Sequence, residues 1–437
     1  MSTQFDTTDA TRDSGVTQPV EPAGGWRVLA PFRFREYRLL VAAVSVSIFA
    51  DGMWTVVMAL QVIKLDDDPA SLSLVATCLG LGLVAFLLVG GLAADRLNQR
   101  SIIIAVEAVN VLAVTAVVVL NSLGVLKIWH LAVVAGTLGI AAAFFFPAYS
   151  ALLPRILPAE QLLAANGVEG VVRPVFERAL GPAIAGVVVG LTMPSVGAVA
   201  VAALFAVGLA LLVATRPTVS AAATVAGPER ARVWRELRDG CAFMVRTPWL
   251  LWTLLFASVF VLVVLGPIEI LLPFLAKDRF ADGARTYGFI LACFGIGSAL
   301  GAIAVSSRRL PRRYLTVMMA MWGLGSLPLA VVGVTSSFPV MATATFLVGV
   351  TDGAAGVIWG TLLQRRVPTE LLGRVSSLDF FVSLAFMPLS FAIAGPLSKL
   401  VPMELIFLVA GVVPVLLAAV AVWAAQMRRD ELANQLG

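Results

Sequence analysis

The sequence predicts an all-α membrane protein with twelve transmembrane helices, arranged as two pseudo-symmetric six-helix bundles. Three observations support this fold class. Of the 437 residues, 59% are hydrophobic and only 13% are charged, against about 25% charged in a typical soluble domain. Twelve apolar runs approach or exceed the roughly 20 residues that a spanning helix needs. Finally, the basic residues of successive loops alternate in density, and the two halves repeat the same loop patterns.

The composition also excludes several classes of protein. A soluble chain this apolar would expose a large greasy surface, so its solvent is predicted to be the lipid bilayer. The net charge is +5, but the basic residues lie in short loops between apolar runs, which indicates membrane topology rather than nucleic-acid binding. Cys78, Cys241 and Cys293 form no CxxC pair, and His130 is the single histidine. We therefore expect no metal, no cofactor and no nucleic-acid partner.

A polar N-terminal tail at 1–37, predicted to be cytoplasmic, precedes the twelve spans. That tail has no apolar core near its start, so we do not expect a cleaved signal peptide. The N-terminal bundle covers 38–215, with spans at 38–62, 72–94, 101–121, 127–150, 164–191 and 194–215. The C-terminal bundle covers 249–425, with spans at 249–276, 285–306, 314–334, 338–363, 375–398 and 403–425. A cytoplasmic C-terminal tail follows at 426–437.

A polar linker at 216–248 separates the two bundles. Its small-residue segment at 220–227 is followed by Val233–Arg238, which alternates apolar and charged residues. This second part is compatible with an amphipathic helix on the cytoplasmic membrane surface. A solvated connector is an equally good interpretation of the same residues.

Arginine marks one side of the membrane. The tails, the linker and the loops after the even-numbered spans hold nearly all arginines. The opposite loops carry only Lys64, Lys127, Lys277, Arg279, Arg285 and Lys399. The positive-inside rule therefore predicts that both termini are cytoplasmic, in a multi-pass protein of the inner (plasma) membrane.

The halves also echo each other in sequence. The segment Leu153–Glu160 follows the fourth span, and Leu363–Glu370 follows the tenth, with Arg, Pro and Glu at matching positions. The loop from Arg96 to Arg100 is likewise echoed by Arg309 to Arg313. Weak internal symmetry between two six-helix halves is typical of secondary transporters.

Three local motifs resemble the major facilitator superfamily. The segment Gly91–Arg100 is similar to its cytoplasmic gating motif, with Asp95, Arg96 and Arg100 in place and Asn98 where glycine is usual. The segment Ala179–Gly186, which contains Gly181, Pro182 and Gly186, resembles the motif associated with exporters. The segment Ala151–Asn166 is similar to the branch of macrolide and multidrug efflux proteins and enterobactin-type exporters. The resemblance covers nearly the whole chain and implies that helices one, four, seven and ten line a central cavity.

Ionisable residues inside the predicted spans are the candidate coupling groups. A charge at mid-bilayer costs roughly 2.5–3.5 kcal/mol, so such residues normally face a bundle interior or a water-filled cavity. Asp51, Glu269 and Asp352 lie on three of the implied cavity helices and are the best candidates for handling protons. A carboxyl taken out of water can be neutral near neutral pH. The alternative is a permanently ionised carboxylate held by neighbouring donors.

The fifth span carries Glu169, Arg173 and Glu177 at spacing i, i+4, i+8, which stacks them on one helix face. Arg178 is adjacent and is expected to be rotated away. We predict that Glu169 and Arg173 belong to a cytoplasmic gate or a fixed strut, together with Asp95, Arg96 and Arg100. Glu177 is either a strut or a fourth proton-coupling candidate.

Small and bulky residues complete the candidate site. The Gly181-Pro182 pair interrupts the regular helix, and Gly186 permits close approach of another helix. Gly297 and Gly301 form a GxxxG packing face. Bulky side chains on the implied cavity helices and on the eleventh span are candidates for contacting the substrate; these are Trp54, Met58, Phe146, Trp359 and Phe381.

These observations predict a proton-coupled antiporter that exports hydrophobic or amphiphilic small molecules, such as drugs, by alternating access. We expect it to act as a monomer, with a small-molecule substrate and protons as its partners. A dedicated exporter of a siderophore or a lipid remains open, and an uptake transporter is less favoured. An enzyme or a membrane sensor is disfavoured, because the sequence offers no nucleophile–base pair and no sizeable soluble domain.

Overall fold

The computed structural model describes residues 31–215, 238, 240–308 and 310–435. Most of the predicted N-terminal tail and most of the linker lie outside these ranges. The alternative interpretations of Val233–Arg238 therefore fall almost wholly outside the described residues. Within the described chain, the prediction of an all-α protein with twelve helices of membrane-spanning length is confirmed.

The twelve spans are numbered α1–α12 in chain order. The N-terminal half contains α1 (Arg35–Leu65), α2 (Pro69–Arg96), α3 (Gln99–Ser122), α4 (Ile128–Ile156), α5 (Ala159–Arg173, Pro174–Leu180 and Gly181–Leu191) and α6 (Pro194–Ala214). The C-terminal half contains α7 (Pro248–Gly266, Pro267–Leu271 and Leu272–Arg279), α8 (Gly283–Ser306), α9 (Tyr314–Gly325 and Pro328–Val334), α10 (Phe338–Arg366), α11 (Thr369–Leu384 and Met387–Ser398) and α12 (Met403–Ala424). A short helix, α13 (Met427–Ala433), follows.

An even number of spans returns the chain to the side on which it started. We call that side, where α1 begins and α12 ends, the terminal face, and the opposite side the distal face. The loop between α2 and α3 illustrates how local chemistry sets helix boundaries on the terminal face. Asn98 accepts a hydrogen bond from the backbone N–H of Ser101 and so caps α3. Its φ of −69° shows that this turn does not require the glycine that is usual in the motif.

Small residues allow close helix packing within each half. Gly297 and Gly301 of α8 lie directly against the backbone carbonyls of Phe346 and Val350 in α10, as the GxxxG spacing predicts. An equivalent contact joins α2 to α4 in the N-terminal half, where Gly82 lies against the α4 backbone. The second and fourth helices of each half are therefore closely packed, which fits the internal sequence symmetry.

The two halves meet closely toward the distal face. There α5 packs on α8, and a Cβ on Gly186 would lie 2.9 Å from the carbonyl oxygen of Ala284. Similarly, α2 packs on α11, where the Ser73 hydroxyl accepts a hydrogen bond of 2.8 Å from the Gly395 N–H. Since glycine is needed for the α5–α8 contact, this closure depends on the absence of a side chain.

Two ion pairs reinforce the distal contact between the halves. Lys277 at the end of α7 pairs with Asp67, and Lys399 after α11 pairs with Asp68 at 2.5 Å. The hydrogen bonds that Lys399 and the Ala70 N–H donate to Asp68 hold the pKa of that carboxyl below its usual value. We call these two pairs the distal latch. Exposed pairs of this kind typically contribute about 0–1 kcal/mol each.

Toward the terminal face the halves separate. In the described part of the chain, α4 and α10 share no extended packing, although α4 contacts α11 through the rings of Phe146 and Phe380, whose centroids are 6.3 Å apart. The distal face is therefore the more tightly closed of the two. This arrangement leaves a pocket between the halves near the middle of the spans.

Candidate functional site

The central pocket lies between the two halves and has a volume of about 390 Å³. The N-terminal half contributes side chains from α1 and α5, and the C-terminal half contributes side chains from α7 to α11. Because both halves form its walls, any movement of one half against the other changes its shape. A pocket in this position has the location expected of a transport site.

Four ionisable side chains line the central pocket: Glu177, Arg178, Glu269 and Asp352. The Nη1 of Arg178 lies 3.6 Å from Oδ2 of Asp352, which forms an ion pair from one half to the other. Trp322 lines the same pocket as this aspartate. Glu269 has no hydrogen bond or ion pair among the described residues, and Arg178 is the cation to which it is electrostatically coupled. The pocket thus holds one guanidinium and, near it, two carboxylates of the C-terminal half, of which only Asp352 is paired with it.

Two π-helical turns carry three of these four side chains: Glu177 and Arg178 in α5, and Glu269 in α7. In α5 the Gly181 N–H donates to the Phe176 carbonyl, and in α7 the Leu272 N–H donates to the Pro267 carbonyl. Each bond reaches back five residues instead of four, which changes the direction of the side chains within the turn. Proline explains both positions. Pro182 cannot donate a hydrogen bond to the Arg178 carbonyl, and Pro273 cannot donate one to the Glu269 carbonyl.

Arg178 is the functional candidate that the sequence pattern missed. Regular α-helical spacing places it away from the face that carries Arg173 and Glu177, but the π-helical turn brings it into the pocket. A signal was present in the sequence: Arg178 lies four residues before Pro182, and Glu269 lies four residues before Pro273. When a proline follows a charged residue by four positions, the backbone carbonyl of that residue receives no regular helical hydrogen bond. Such a charged residue is a good candidate for a functional site at an interrupted helix.

The apolar wall of the pocket comes mainly from the C-terminal half. It includes Phe260 and Leu265 of α7, Phe294 of α8, and Met321 and Trp322 of α9. Arg178 lies against this wall, with its guanidinium carbon 5.9 Å from the centre of the Phe294 ring. The pocket therefore combines an aromatic surface with an excess of negative charge.

The predicted substrate contacts lie elsewhere in this conformation. Trp54 and Met58 are buried in a hydrophobic cluster to which both halves contribute, and they do not line the pocket. Trp359 packs against Trp249 and donates a hydrogen bond of 3.1 Å to Asp379. Phe381 is half-buried and does not line the pocket. Phe146 lines a different cavity, described next.

A second, smaller chamber lies inside the N-terminal half and has a volume of about 70 Å³. Asp51 lines it together with Glu107, which accepts hydrogen bonds from Ser47 and Asn110. The Asp51 carboxylate makes no hydrogen bond of its own within the described residues. The structure therefore separates Asp51 from Glu269 and Asp352, although the sequence had grouped all three on one cavity.

Arg173 connects the chamber with the central pocket. Its guanidinium lines the chamber and forms ion pairs with Glu169 at 3.3 Å and with Glu177 at 3.1 Å. Glu177 in turn lines the central pocket. The predicted charge ladder on α5 is thus present, and it links the surroundings of Asp51 to the inter-half ion pair.

The terminal-face motif residues make local contacts. Arg100 donates hydrogen bonds to Thr215 Oγ1 at 2.8 Å and to carbonyls at the end of α6, where a cation is electrostatically favourable. Arg96 is exposed at the end of α2, and the Asp95 side chain lies outside the described part of the structure. Arg173 also lies over the Phe146 ring, 4.9 Å from its centre.

The exporter-like motif forms two close contacts. Gly181 lies against Gly52 of α1, and Gly186 lies against Gly288 of α8. The Pro182 carbonyl faces Gly288 as well. The motif therefore supports α5 on both sides, against its own half through α1 and against the other half through α8.

Comparison with known proteins gives a consistent result. The family model for the Major Facilitator Superfamily matches residues 40–387. The multidrug efflux pump Tap of Mycolicibacterium fortuitum is 27% identical over 397 residues, covering 88% of this chain and 94% of that protein. Macrolide efflux protein A of Streptococcus pyogenes is 21% identical over 78% of this chain and 84% of its own length. The crystal structure of the nucleoside transporter NupG superposes with a TM-score of 0.68 at 14% identity, covering 89% of this chain and 99% of that one, and so supports the fold alone.

Proposed function

This chain belongs to the Major Facilitator Superfamily, and from that premise we propose that it exports hydrophobic or amphiphilic small molecules in exchange for protons. As a member of this family it is a transporter rather than an enzyme. We further propose that it works as a monomer in the plasma membrane, with the terminal face toward the cytoplasm. The observation that carries the proposal is a pocket lined by both halves, with an ion pair between Arg178 and Asp352 and a further carboxylate, Glu269, that has no ion-pair partner among the described residues.

The charge balance of the pocket supports exchange with protons. Arg173 is divided between Glu169 and Glu177, and Asp352 is paired with Arg178, which leaves Glu269 without an ion-pair partner. An excess charge away from bulk water is costly, so a proton or a cationic group of the substrate lowers the free energy of the occupied pocket. The two ligands therefore compete for the same carboxylates, which is the requirement for antiport.

The position of the ion pair supports coupling to movement. Arg178 and Asp352 belong to different halves, so neutralising Asp352 removes an attraction that holds the halves in the observed arrangement. Asp51 and Glu107 in the N-terminal chamber supply a second place where a proton can reside. The Glu169–Arg173–Glu177 ladder then transmits a change of charge from the chamber to the pocket.

The driving force is sufficient for export. One proton moving inward through roughly 150 mV supplies about 3.5 kcal/mol. At about 1.4 kcal/mol per decade, that free energy sustains a gradient of a few hundredfold for a neutral substrate. The names of the relatives that carry the words multidrug efflux and macrolide efflux favour export and a broad apolar substrate class.

The test is drug export from proteoliposomes driven by an imposed pH gradient. We expect Glu269→Gln and Asp352→Asn to abolish the pH-driven component while leaving the protein folded. Asp278→Asn is the matched control, because this carboxylate is exposed at the distal face and outside the pocket. Full pH-driven export by both pocket variants would refute the coupling role. Export that needs no pH gradient in the wild type would refute antiport itself.

A further inference from the structure

A groove on the lipid-facing surface lies at the terminal end of the C-terminal half, away from the transport pocket. It runs between α9 and α12 and has a volume of about 890 Å³. Its walls are formed mainly by small and apolar side chains, and they include Thr316, Ala320, Leu324, Ala418, Val422 and Trp423. From Thr316 to Leu324 the groove follows about 12 Å of helix at 1.5 Å per residue. That length matches a large part of an acyl chain in one leaflet.

Two arginines lie at the end of the groove that reaches the terminal face. Arg428 and Arg429 line it, and both are exposed. Neither has a carboxylate partner among the described residues, and Arg429 has only a long contact of 3.5 Å with Gln426. Guanidinium groups bind phosphate oxygens in a planar, bidentate manner. The end of the groove therefore offers unneutralised positive charge at the depth of lipid headgroups.

The arginines are held in place rather than carried on a loose tail. Gln426 adopts a left-handed conformation, with φ of 48°, which turns α13 back under the bundle. Glu431 of α13 is fully buried and accepts hydrogen bonds from the Thr316 N–H at 3.0 Å and from its hydroxyl at 2.8 Å. Asp430 pairs with Arg366 at 2.5 Å. The two acidic residues of α13 are thus already engaged, and they leave its arginines free for another anion.

Trp423 indicates the same orientation of a bound lipid. Its side chain is 81% exposed and lies beside the arginine end of the groove. Exposed tryptophan is typical of the boundary between acyl chains and headgroups. Along the groove, apolar side chains are followed by Trp423 and then by the two arginines. This order matches the acyl chain, the interfacial region and the phosphate of a phospholipid.

We propose that this groove binds one anionic glycerophospholipid, with its phosphate on Arg428 and Arg429 and an acyl chain along α9 and α12. The lipid bridges α13 to α9 and α12 and is not a transported substrate. Phosphatidylcholine has the same chains and the same phosphate, but its choline cation compensates the phosphate charge, so it fits the groove and is attracted less strongly by the arginines.

The test uses the purified full chain in detergent and native mass spectrometry with dioleoyl phosphatidylglycerol and dioleoyl phosphatidylcholine. We expect the wild type to prefer phosphatidylglycerol on the order of 30-fold, since each basic residue near anionic lipid contributes about 1 kcal/mol. The variant Arg428→Gln/Arg429→Gln should lose that preference. The control Arg246→Gln/Arg308→Gln removes the same charge from exposed positions outside the groove and should retain it.

A second variant tests whether lipid binding needs the apolar part of the groove, without changing its charge. Ala419→Trp fills the exposed floor of the groove, and it should weaken binding of both lipids while both arginines remain. Equal binding of the two lipids to the wild type would overturn the proposal. So would inorganic phosphate displacing phosphatidylglycerol at similar concentration, which would indicate a simple anion site. Displacement by a transported drug would instead assign the groove to the substrate.

Discussion

Neutralising Asp352 should shift the protein away from the arrangement in which the distal face is closed. The ion pair between Arg178 and Asp352 spans 3.6 Å from one half to the other. Two unit charges at that distance attract by about 5 kcal/mol at an effective dielectric constant of 20 and by about 1 kcal/mol in water. The side chains are 51% and 32% exposed to the pocket, so the lower part of this range applies. We expect a shift of about 1–2 kcal/mol, or roughly five- to thirtyfold in the ratio of the two conformations.

The assay is a distance measurement between spin labels placed on the distal ends of the two halves. Asp352→Asn and Arg178→Gln should each lengthen the distal distance in a larger fraction of molecules. The double variant should add little to either single variant, because both remove the same interaction. Asp379→Asn is the matched control, since this intramembrane carboxylate bonds Trp359 and Ser383 within one half. An unchanged distance distribution in both single variants would refute a conformational role for the ion pair.

The distal latch, the α5–α8 contact and the charge of the pocket can each be tested separately. Asp68→Asn should raise the distal-open fraction by no more than about fivefold, and by less at high salt, because its ion pair with Lys399 is exposed. The pKa of Asp68 lies below its usual value, so the ion pair stabilises the closed distal face fully above the usual pKa and is lost only as pH falls through the lowered pKa. Spin-label distances in the wild type should therefore show no latch-dependent change between pH 5 and 8. Gly186→Val should prevent the α5–α8 contact and open the distal face in the same measurement, whereas Gly356→Val, at a position with open space around it, should not; normal closure of the first variant would contradict the packing argument. Tetraphenylphosphonium, a permanently charged probe, should bind several-fold more tightly than a neutral compound of similar size in calorimetric titrations, and Glu269→Gln should remove the difference; equal binding of both compounds would contradict the charge count of the pocket.

Much of the fold was predictable because hydrophobic length and arginine distribution are strong signals in a membrane protein. The GxxxG face at Gly297 and Gly301 and the charge ladder from Glu169 to Glu177 followed from regular helical spacing, and both are present. Arg178 was misplaced because the same spacing fails inside a π-helical turn.

The composition of the pocket wall was less predictable, for a different physical reason. Aromatic residues occur on most spans, and sequence alone does not show which face of a span turns toward the other half. Trp54 and Met58 are on a helix that does line the pocket, yet their side chains are buried in a hydrophobic cluster shared by the two halves. Phe294 and Trp322 line the pocket because α8 and α9 contribute to it beside α1, α7 and α10, whereas no described residue of α4, the fourth expected helix, lines it.

The central claim is that substrate and protons compete for the same carboxylates of the pocket. The most direct test is the number of protons released when tetraphenylphosphonium binds to purified protein in weakly buffered solution near neutral pH. We predict measurable proton release from the wild type and a clearly smaller release from Glu269→Gln at matched occupancy. Binding without proton release, or equal release from both proteins, would contradict the claim.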